Sequence, residues 1–218
     1  MIRLNRIAHP VTTLGFGRRV GLWVQGCARQ CPDCNGRDTW PADGGTELPV
    51  SAVAKAICEI AAEEELDGLT ITGGEPFDQA DALCALIDEV KCGMARWAAD
   101  DRRRFDVLVF SGYEAEGAAE VSPGLWSRVD AAVCGPYRAN CPSDAPLLAS
   151  GNQRYVCLTE AGRAAHRSLA ATWDKAMQFS QDGRAVTFAG ITDAGDLNCL
   201  EEQLQERGIS MGEVSWRS

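Results

Sequence analysis

Four short strand-like segments constrain this chain more than any other feature: 21–24, Leu69-Thr70-Ile71-Thr72, 106–110 and 131–133, the first and the last two of them almost wholly apolar. Runs of this length without polar alternation are what strands look like when both faces of a sheet are covered. Between the first two segments, Val50, Val53, Ile57 and Ile60 fall on one helical face. Between the second and third, Leu83, Leu86, Ile87 and Val90 do the same. Strand and helix thus alternate at intervals of roughly 30 to 40 residues, the pattern of βαβ units feeding a parallel sheet. Residues 154–156 and 186–188 read as a fifth and a sixth strand. Leu197, Leu200 and Leu204 mark a last helix that stops at Gly208, a good residue just past a helix end. About six units are too few for a closed eight-stranded barrel. The expected fold class is therefore α/β, a partial (βα)6-like open barrel with a parallel sheet. It forms a single domain over 1–218, its core at about 20–190 and a C-terminal helix and tail at 191–218.

In open α/β sheets, ligands bind beyond the C-terminal strand ends, and the distinctive loops of this chain fall there. The first strand runs into Gly26-Cys27-Ala28-Arg29-Gln30-Cys31-Pro32-Asp33-Cys34, a C-x3-C-x2-C spacing. With 10 cysteines in 218 residues, chance places about 0.02 such triplets in a chain of this composition. That cysteine content is high, yet below that of a disulfide-stapled secreted domain. The first dozen residues carry no apolar stretch with a cleavage site, so no signal peptide is read and a cytoplasmic location is expected. In a reducing compartment, excess cysteine points to metal or redox chemistry. A closed zinc site needs a fourth ligand, and no second cysteine pair appears beside His9 and His166, the two histidines of the chain. A four-iron cluster held by three thiolates keeps one iron open, as a catalytic metal keeps a position for its substrate or cofactor. A [4Fe-4S] cluster on Cys27, Cys31 and Cys34 is expected, with zinc the alternative.

Charge and hydropathy exclude other classes. The chain has 21 basic and 31 acidic residues, a net charge of −10, which argues against nucleic acid as a partner. No apolar run approaches the ~20 residues of a membrane span, so no membrane partner is expected either.

The cysteine loop after one strand, and Thr72-Gly73-Gly74-Glu75-Pro76 after the next, resemble the radical S-adenosylmethionine (SAM) superfamily. Trp23-Val24-Gln25-Gly26-Cys27, Phe110-Ser111-Gly112-Tyr113 and Ser150-Gly151-Asn152-Gln153-Arg154 are more particular. Together they resemble the small glycyl-radical-enzyme activases, the group of the anaerobic ribonucleotide reductase activating enzymes.

The resemblance implies that SAM chelates the open iron through its methionyl amine and carboxylate. It further implies reductive cleavage of SAM to methionine and a 5′-deoxyadenosyl radical that abstracts a hydrogen atom. The expected hydrogen donor is a glycine of a partner glycyl-radical enzyme. The alternative is a peptide or small metabolite acted on directly, and a third reading is a non-catalytic iron–sulfur or zinc protein. An electron donor such as flavodoxin or ferredoxin is an implied partner. By the same resemblance, Thr72, Gly73, Gly74, Glu75 and Pro76 hold the SAM amino group through backbone oxygens. Glycine lets the backbone approach closely and proline stiffens the turn. Ser111, Tyr113 and Asn152 are candidates for the cofactor pocket, with ordinary turn packing the alternative.

Two positions depart from the group. Asp33, before the third cysteine, either meets the adenine amine or turns to solvent. Cys134 stands where the reductase activases tend to carry an aspartate, and a thiol makes no charge-assisted contact of that kind. Cys134 is kept as a cofactor-site candidate, and Cys134, Cys141 and Cys157 as a candidate second cluster. Cys58 and Cys84 read as core residues. The segment Gly15-Phe16-Gly17-Arg18-Arg19 reads as a hairpin turn or a lid, and Arg102-Arg103-Arg104 as a solvated loop.

Overall fold

The computed structural model describes residues 1–97, 105–182, 185–193 and 195–215. The basic run Arg102-Arg103-Arg104 lies outside them. In chain order the elements are β1 (Ile2–Val11), β2 (Arg19–Val24), β3 (Thr46–Leu48), α1 (Val50–Glu63), β4 (Gly68–Gly73), α2 (Ala80–Trp97), β5 (Asp106–Ser111), α3 (Ala115–Val121) and α4 (Pro123–Trp126). There follow β6 (Ala131–Cys134), β7 (Arg154–Cys157), α5 (Glu160–Thr172), β8 (Met177–Asp182), β9 (Ala185–Gly190) and α6 (Asp196–Glu206). Seven strands form one sheet in the order β3-β1-β2-β4-β5-β6-β7, and β8 and β9 pair separately.

The open α/β sheet expected from the strand–helix alternation is present, with a shorter parallel run. Strands β2, β4, β5 and β6 are mutually parallel, whereas β7 returns antiparallel to β6. A parallel partner needs a crossover, usually a helix, and the connection from β6 to β7 carries none. The expected sixth strand at 186–188 falls in β9, which pairs antiparallel with its immediate predecessor β8 as a separate hairpin. Strand β1 adds an antiparallel neighbour on the other side of β2.

The period-2 geometry of the strands divides the core in two. Val20, Leu22, Val24, Leu69, Ile71, Val107 and Val109 point to one face, where Val53 and Ile57 of α1 and Leu83, Leu86, Ile87 and Val90 of α2 cover them. Trp23, Leu108, Ala131 and Val133 point to the other, against Leu147, Leu169 of α5, and Ala189 and Ile191. Helix α1 starts directly after Pro49, and its buried residues Val53, Ala54, Ile57 and Ala61 repeat at helical spacing. Helix α5 is capped by Thr159, whose side chain accepts from the Gly162 amide.

An ion pair closes the N-terminal end of the sheet. Arg19 starts β2 and Asp106 starts β5, and they meet at 2.8 Å across β4. Arg19 Nε donates to Thr70 Oγ1 and Nη1 to Phe16 O, while Nη2 donates to Leu69 O as well as to the carboxylate. Every nitrogen of this buried guanidinium is satisfied, which is the condition under which a buried charge is tolerated. The segment 15–19 is therefore tied to the sheet base through Arg19 rather than standing free as a lid.

Candidate iron–sulfur and cofactor site

The opposite, C-terminal end carries the cysteine loop. It leaves β2 at Val24 and returns at Trp40, and its two ends are pinned together where Gly26 N donates to Thr39 O (2.7 Å) and Cys27 N to Trp40 O (3.1 Å). Gln25 is buried beneath the loop, its amide donating to Asp38 O (3.0 Å) and Pro41 O (2.8 Å). The loop is thus held at its base, with the cysteines on its outer turn.

Cys27, Cys31 and Cys34 are all half-buried, and each of the other two acts electrostatically on the Cys34 thiol. Burial pushes the thiols of Cys27 and Cys34 upward, and the neighbouring cysteines add to the shift. A bound cationic centre reverses that balance, because its charge favours the thiolate. Among the described residues, no group of three or more Cys, His, Asp or Glu side chains is closed up around a metal position. The donor set fits an iron–sulfur cluster chemically: three soft thiols on one pinned loop.

Beside the loop, the turn after β4 is built around two glycines. Gly73 has φ +100°, and a Cβ on Gly74 would collide with the Gly26 carbonyl. The backbone of this turn is hydrogen-bonded to the strand feeding the cysteine loop, Gly74 N to Val24 O (2.8 Å) and Glu75 N to Gly26 O (2.8 Å). Only glycine allows so close an approach. Pro76 is buried at the start of a 3-10 turn, Pro76–Gln79.

Glu75 joins the three loops. Its side chain is 1% exposed, and Oε1 accepts from Phe77 N (3.0 Å) and Ser111 Oγ (2.8 Å). Oε2 accepts from Gly112 N (2.8 Å) and faces Arg29 Nε at 3.5 Å. Burial raises the Glu75 carboxyl above the usual carboxylate range, and these donors oppose the shift. Arg29, between Cys27 and Cys31, also stacks over the Tyr113 ring at 3.6 Å. One carboxylate therefore ties the cysteine loop, the double-glycine turn and the Ser111-Gly112-Tyr113 turn together. Glu75 and Ser111 accordingly have their side chains committed to each other rather than turned to an open pocket.

The remaining sequence candidates are dispersed. Thr72 and Gly73 line a cavity of about 190 Å³ together with Cys34, Arg6, Trp23 and Tyr137. Asp33 is exposed, with φ +62°. Cys134 is fully buried, opposite Ser111 in the β5–β6 register, and burial, reinforced by Glu75, pushes its thiol up to about 12. Asn152 Nδ2 donates to Pro136 O (2.8 Å), whereas its Oδ1 is buried with no partner. An orphaned buried acceptor of this kind is what a ligand amine or hydroxyl satisfies. The candidate second cluster does not assemble. Antiparallel pairing sets Cys134 opposite Arg154 and Cys157 opposite Ala131, at the two ends of the β6–β7 pair.

Sequence reasoning passed over Arg29, Arg6 and Tyr137. Arg29 lies within the cysteine loop with no motif of its own, and Arg6 and Tyr137 belong to no motif.

Residues 13–156 match the family described as a 4Fe-4S single cluster domain. The chain belongs to this family. The anaerobic ribonucleoside-triphosphate reductase-activating protein of Enterobacteria phage T4 is 30% identical over 142 residues, 64% of this chain and 84% of that protein. The protein of the same name from Vibrio cholerae is 26% identical over 133 residues, 59% of this chain and 81% of its own length. The pyruvate formate-lyase-activating enzyme of Listeria monocytogenes is 36% identical over 88 residues, 37% of this chain and 34% of that enzyme. The resemblance drawn from the motifs is borne out: this is an enzyme of the radical SAM, activase-like group. No helix among the described residues is long and apolar enough to cross a membrane.

Proposed function

We propose that the chain holds a [4Fe-4S] cluster on Cys27, Cys31 and Cys34, binds SAM against residues 72–76, and generates a glycyl radical on a partner enzyme. The observation that carries this reading is the Glu75 hub, which fixes the cysteine loop beside the double-glycine turn at one end of the parallel strands. With cluster and SAM bound, the chemistry supplied is one-electron cleavage of SAM to methionine and a 5′-deoxyadenosyl radical able to abstract a glycine α-hydrogen. The chain's own residues orient and exclude. Thr72 and Gly73 face the cavity that Cys34 also lines, and their backbone oxygens are the acceptors for the SAM amine. Asn152 Oδ1 supplies a further free acceptor. Trp23 and Phe110 give that cavity apolar walls, which keep water from a reactive species. Asp33 and Cys134 stand at the margins of this arrangement, Asp33 open to adenine or solvent and Cys134 buried behind Ser111. A flavodoxin- or ferredoxin-like protein is the proposed reductant.

The second reading, direct action on a peptide or small metabolite, is favoured by one feature. Gly190, Ile191 and Thr192, which lie beyond the family-matched segment, form part of the cavity wall.

The test is 5′-deoxyadenosine formation by anaerobically reconstituted protein with SAM and dithionite, beside a Cys31→Ala control. Product from the native chain alone supports the reading. Absence of product at a verified four-iron loading, with a glycyl-radical reductase and with reductants of graded potential, overturns it.

A further inference from the structure

The cavity beside the cysteine loop contains a cation that no motif assigns. Arg6 on β1 pairs in register with Trp23 of β2, and Trp23 pairs with Thr72 of β4, so the three stand in one row across adjacent strands. All three line the cavity. The Arg6 guanidinium lies over the Trp23 ring, 4.7 Å from its centroid. Nη1 is fixed by Asn5 Oδ1 at 2.6 Å and Asp38 Oδ2 at 3.0 Å. Nε is shielded from solvent and hydrogen-bonds to nothing in the protein.

The contrast with Arg19 is informative. Both guanidiniums are paired with an aspartate, but every nitrogen of Arg19 is satisfied while Nε of Arg6 is not. A buried donor without a partner is costly, and rare unless a ligand completes it. The guanidinium is held in place by stacking and by Nη1, so little side-chain freedom is lost on binding. We propose that Arg6 forms a carboxylate subsite in this cavity, its Nε edge receiving the anionic group of a bound ligand. A carboxylate fits better than a phosphate dianion, because Asp38 already offsets part of the Arg6 charge and the surrounding walls include Trp23 and Phe110. Two sources share this chemistry: the methionyl carboxylate of SAM, which rests on the proposed function, and the carboxylate of a separate substrate, which does not.

The experiment uses full-length, cluster-loaded native, Arg6→Gln and Arg6→Lys proteins, each first shown to melt normally. Anaerobic calorimetry measures binding of SAM and of decarboxylated SAM, and Trp fluorescence follows acetate titrated with and without SAM. If SAM supplies the carboxylate, both variants weaken SAM binding about 10- to 100-fold and leave decarboxylated SAM unchanged. If a second ligand supplies it, SAM affinity holds and acetate binding is lost in both variants. Equal binding of SAM and of acetate by the native protein and Arg6→Gln overturns the subsite. Failure of the native protein to bind SAM at all refutes the proposed function instead, leaving the acetate arm to judge Arg6.

Discussion

Replacing Glu75 with Gln tests whether one carboxylate joins the three loops. The native side chain offers two buried oxygens to four donors. Glutamine has one oxygen and an NH₂ group. If its oxygen keeps the Oε1 position, Phe77 N and Ser111 Oγ remain satisfied. The NH₂ group then faces the Gly112 amide, which loses its acceptor, and Arg29, which loses its counter-ion. An unsatisfied buried amide costs about 1–3 kcal/mol. The Arg29 contact, long at 3.5 Å and with Arg29 30% exposed, adds about 1 kcal/mol at most. In the opposite amide orientation Phe77 N loses its acceptor while the Ser111 hydroxyl rotates to accept from the NH₂ group, so one backbone amide is stranded either way. The expected loss is therefore about 1–4 kcal/mol, or roughly 2–15 °C in melting temperature for a domain of this size. Circular dichroism melts of the cluster-free chain at pH 7 read it directly. Ser111→Ala removes one donor to Glu75 and also the acceptor of the Tyr113 amide, which Ser111 Oγ receives at 3.0 Å, so it should cost about 1–3 kcal/mol. A Glu75→Gln variant melting within about 2 °C of the native chain would show that the hub does not hold the loops, and the geometric basis of the proposed site would fall with it.

Cys27→Ala, Cys31→Ala and Cys34→Ala should each abolish the site-bound cluster, read as loss of the reconstituted protein's visible absorbance and of SAM cleavage; activity surviving any one of them refutes that ligand. Asp106→Ala leaves the Arg19 charge buried and unpaired, so urea unfolding should report a loss of about 3–5 kcal/mol, and a loss under 1 kcal/mol would contradict the described ion pair. Cys134 has its thiol pushed up to about 12, so in the folded chain it should resist iodoacetamide at pH 8 while exposed Cys92 and Cys199 react. Its folded value lies above its unfolded one, so its contribution to stability is complete below the ordinary thiol range and is lost as pH rises from there towards 12. Cys134→Ala should lack that alkaline loss, and equal pH dependence of the two proteins would rule the assignment out.

The parallel strands and their helices were legible because burial on both faces leaves a continuous apolar run, as in Val107-Leu108-Val109-Phe110, and a clean helical stripe, as in Val53 and Ile57. Strand β1 was not, since Asn5, Arg6 and His9 break its apolar pattern. Nor was α5, where Ala and Arg dominate and Leu169 is its buried anchor. The direction of β7 could not be read from its own residues. Arg154–Cys157 has the composition of a strand in either orientation, and the connection decides between them. At the site, the cysteine spacing and the double glycine were visible because each motif is local. The interlocking role of Glu75 was not, because it depends on Ser111 and Gly112, 36 and 37 residues further along.

The two ends of the sheet meet the cost of buried charge in different ways, and that difference separates scaffold from site. At the N-terminal end, Arg19 and Asp106 close upon each other and upon backbone carbonyls, leaving no guanidinium nitrogen free. At the C-terminal end, Glu75 is satisfied by donors from three loops, and so fixes their relative positions. At that end Arg6 Nε, Arg37 Nε, Asp38 Oδ1 and Asn152 Oδ1 remain without a hydrogen bond, two donors and two acceptors. A network built only for stability has no reason to stop short at those atoms, since each orphan costs what a completed bond would recover. Arg6 stands on β1 across from Trp23 and Asn152 just before β7, and polar atoms left open there are those of a rigid frame completed by its ligands.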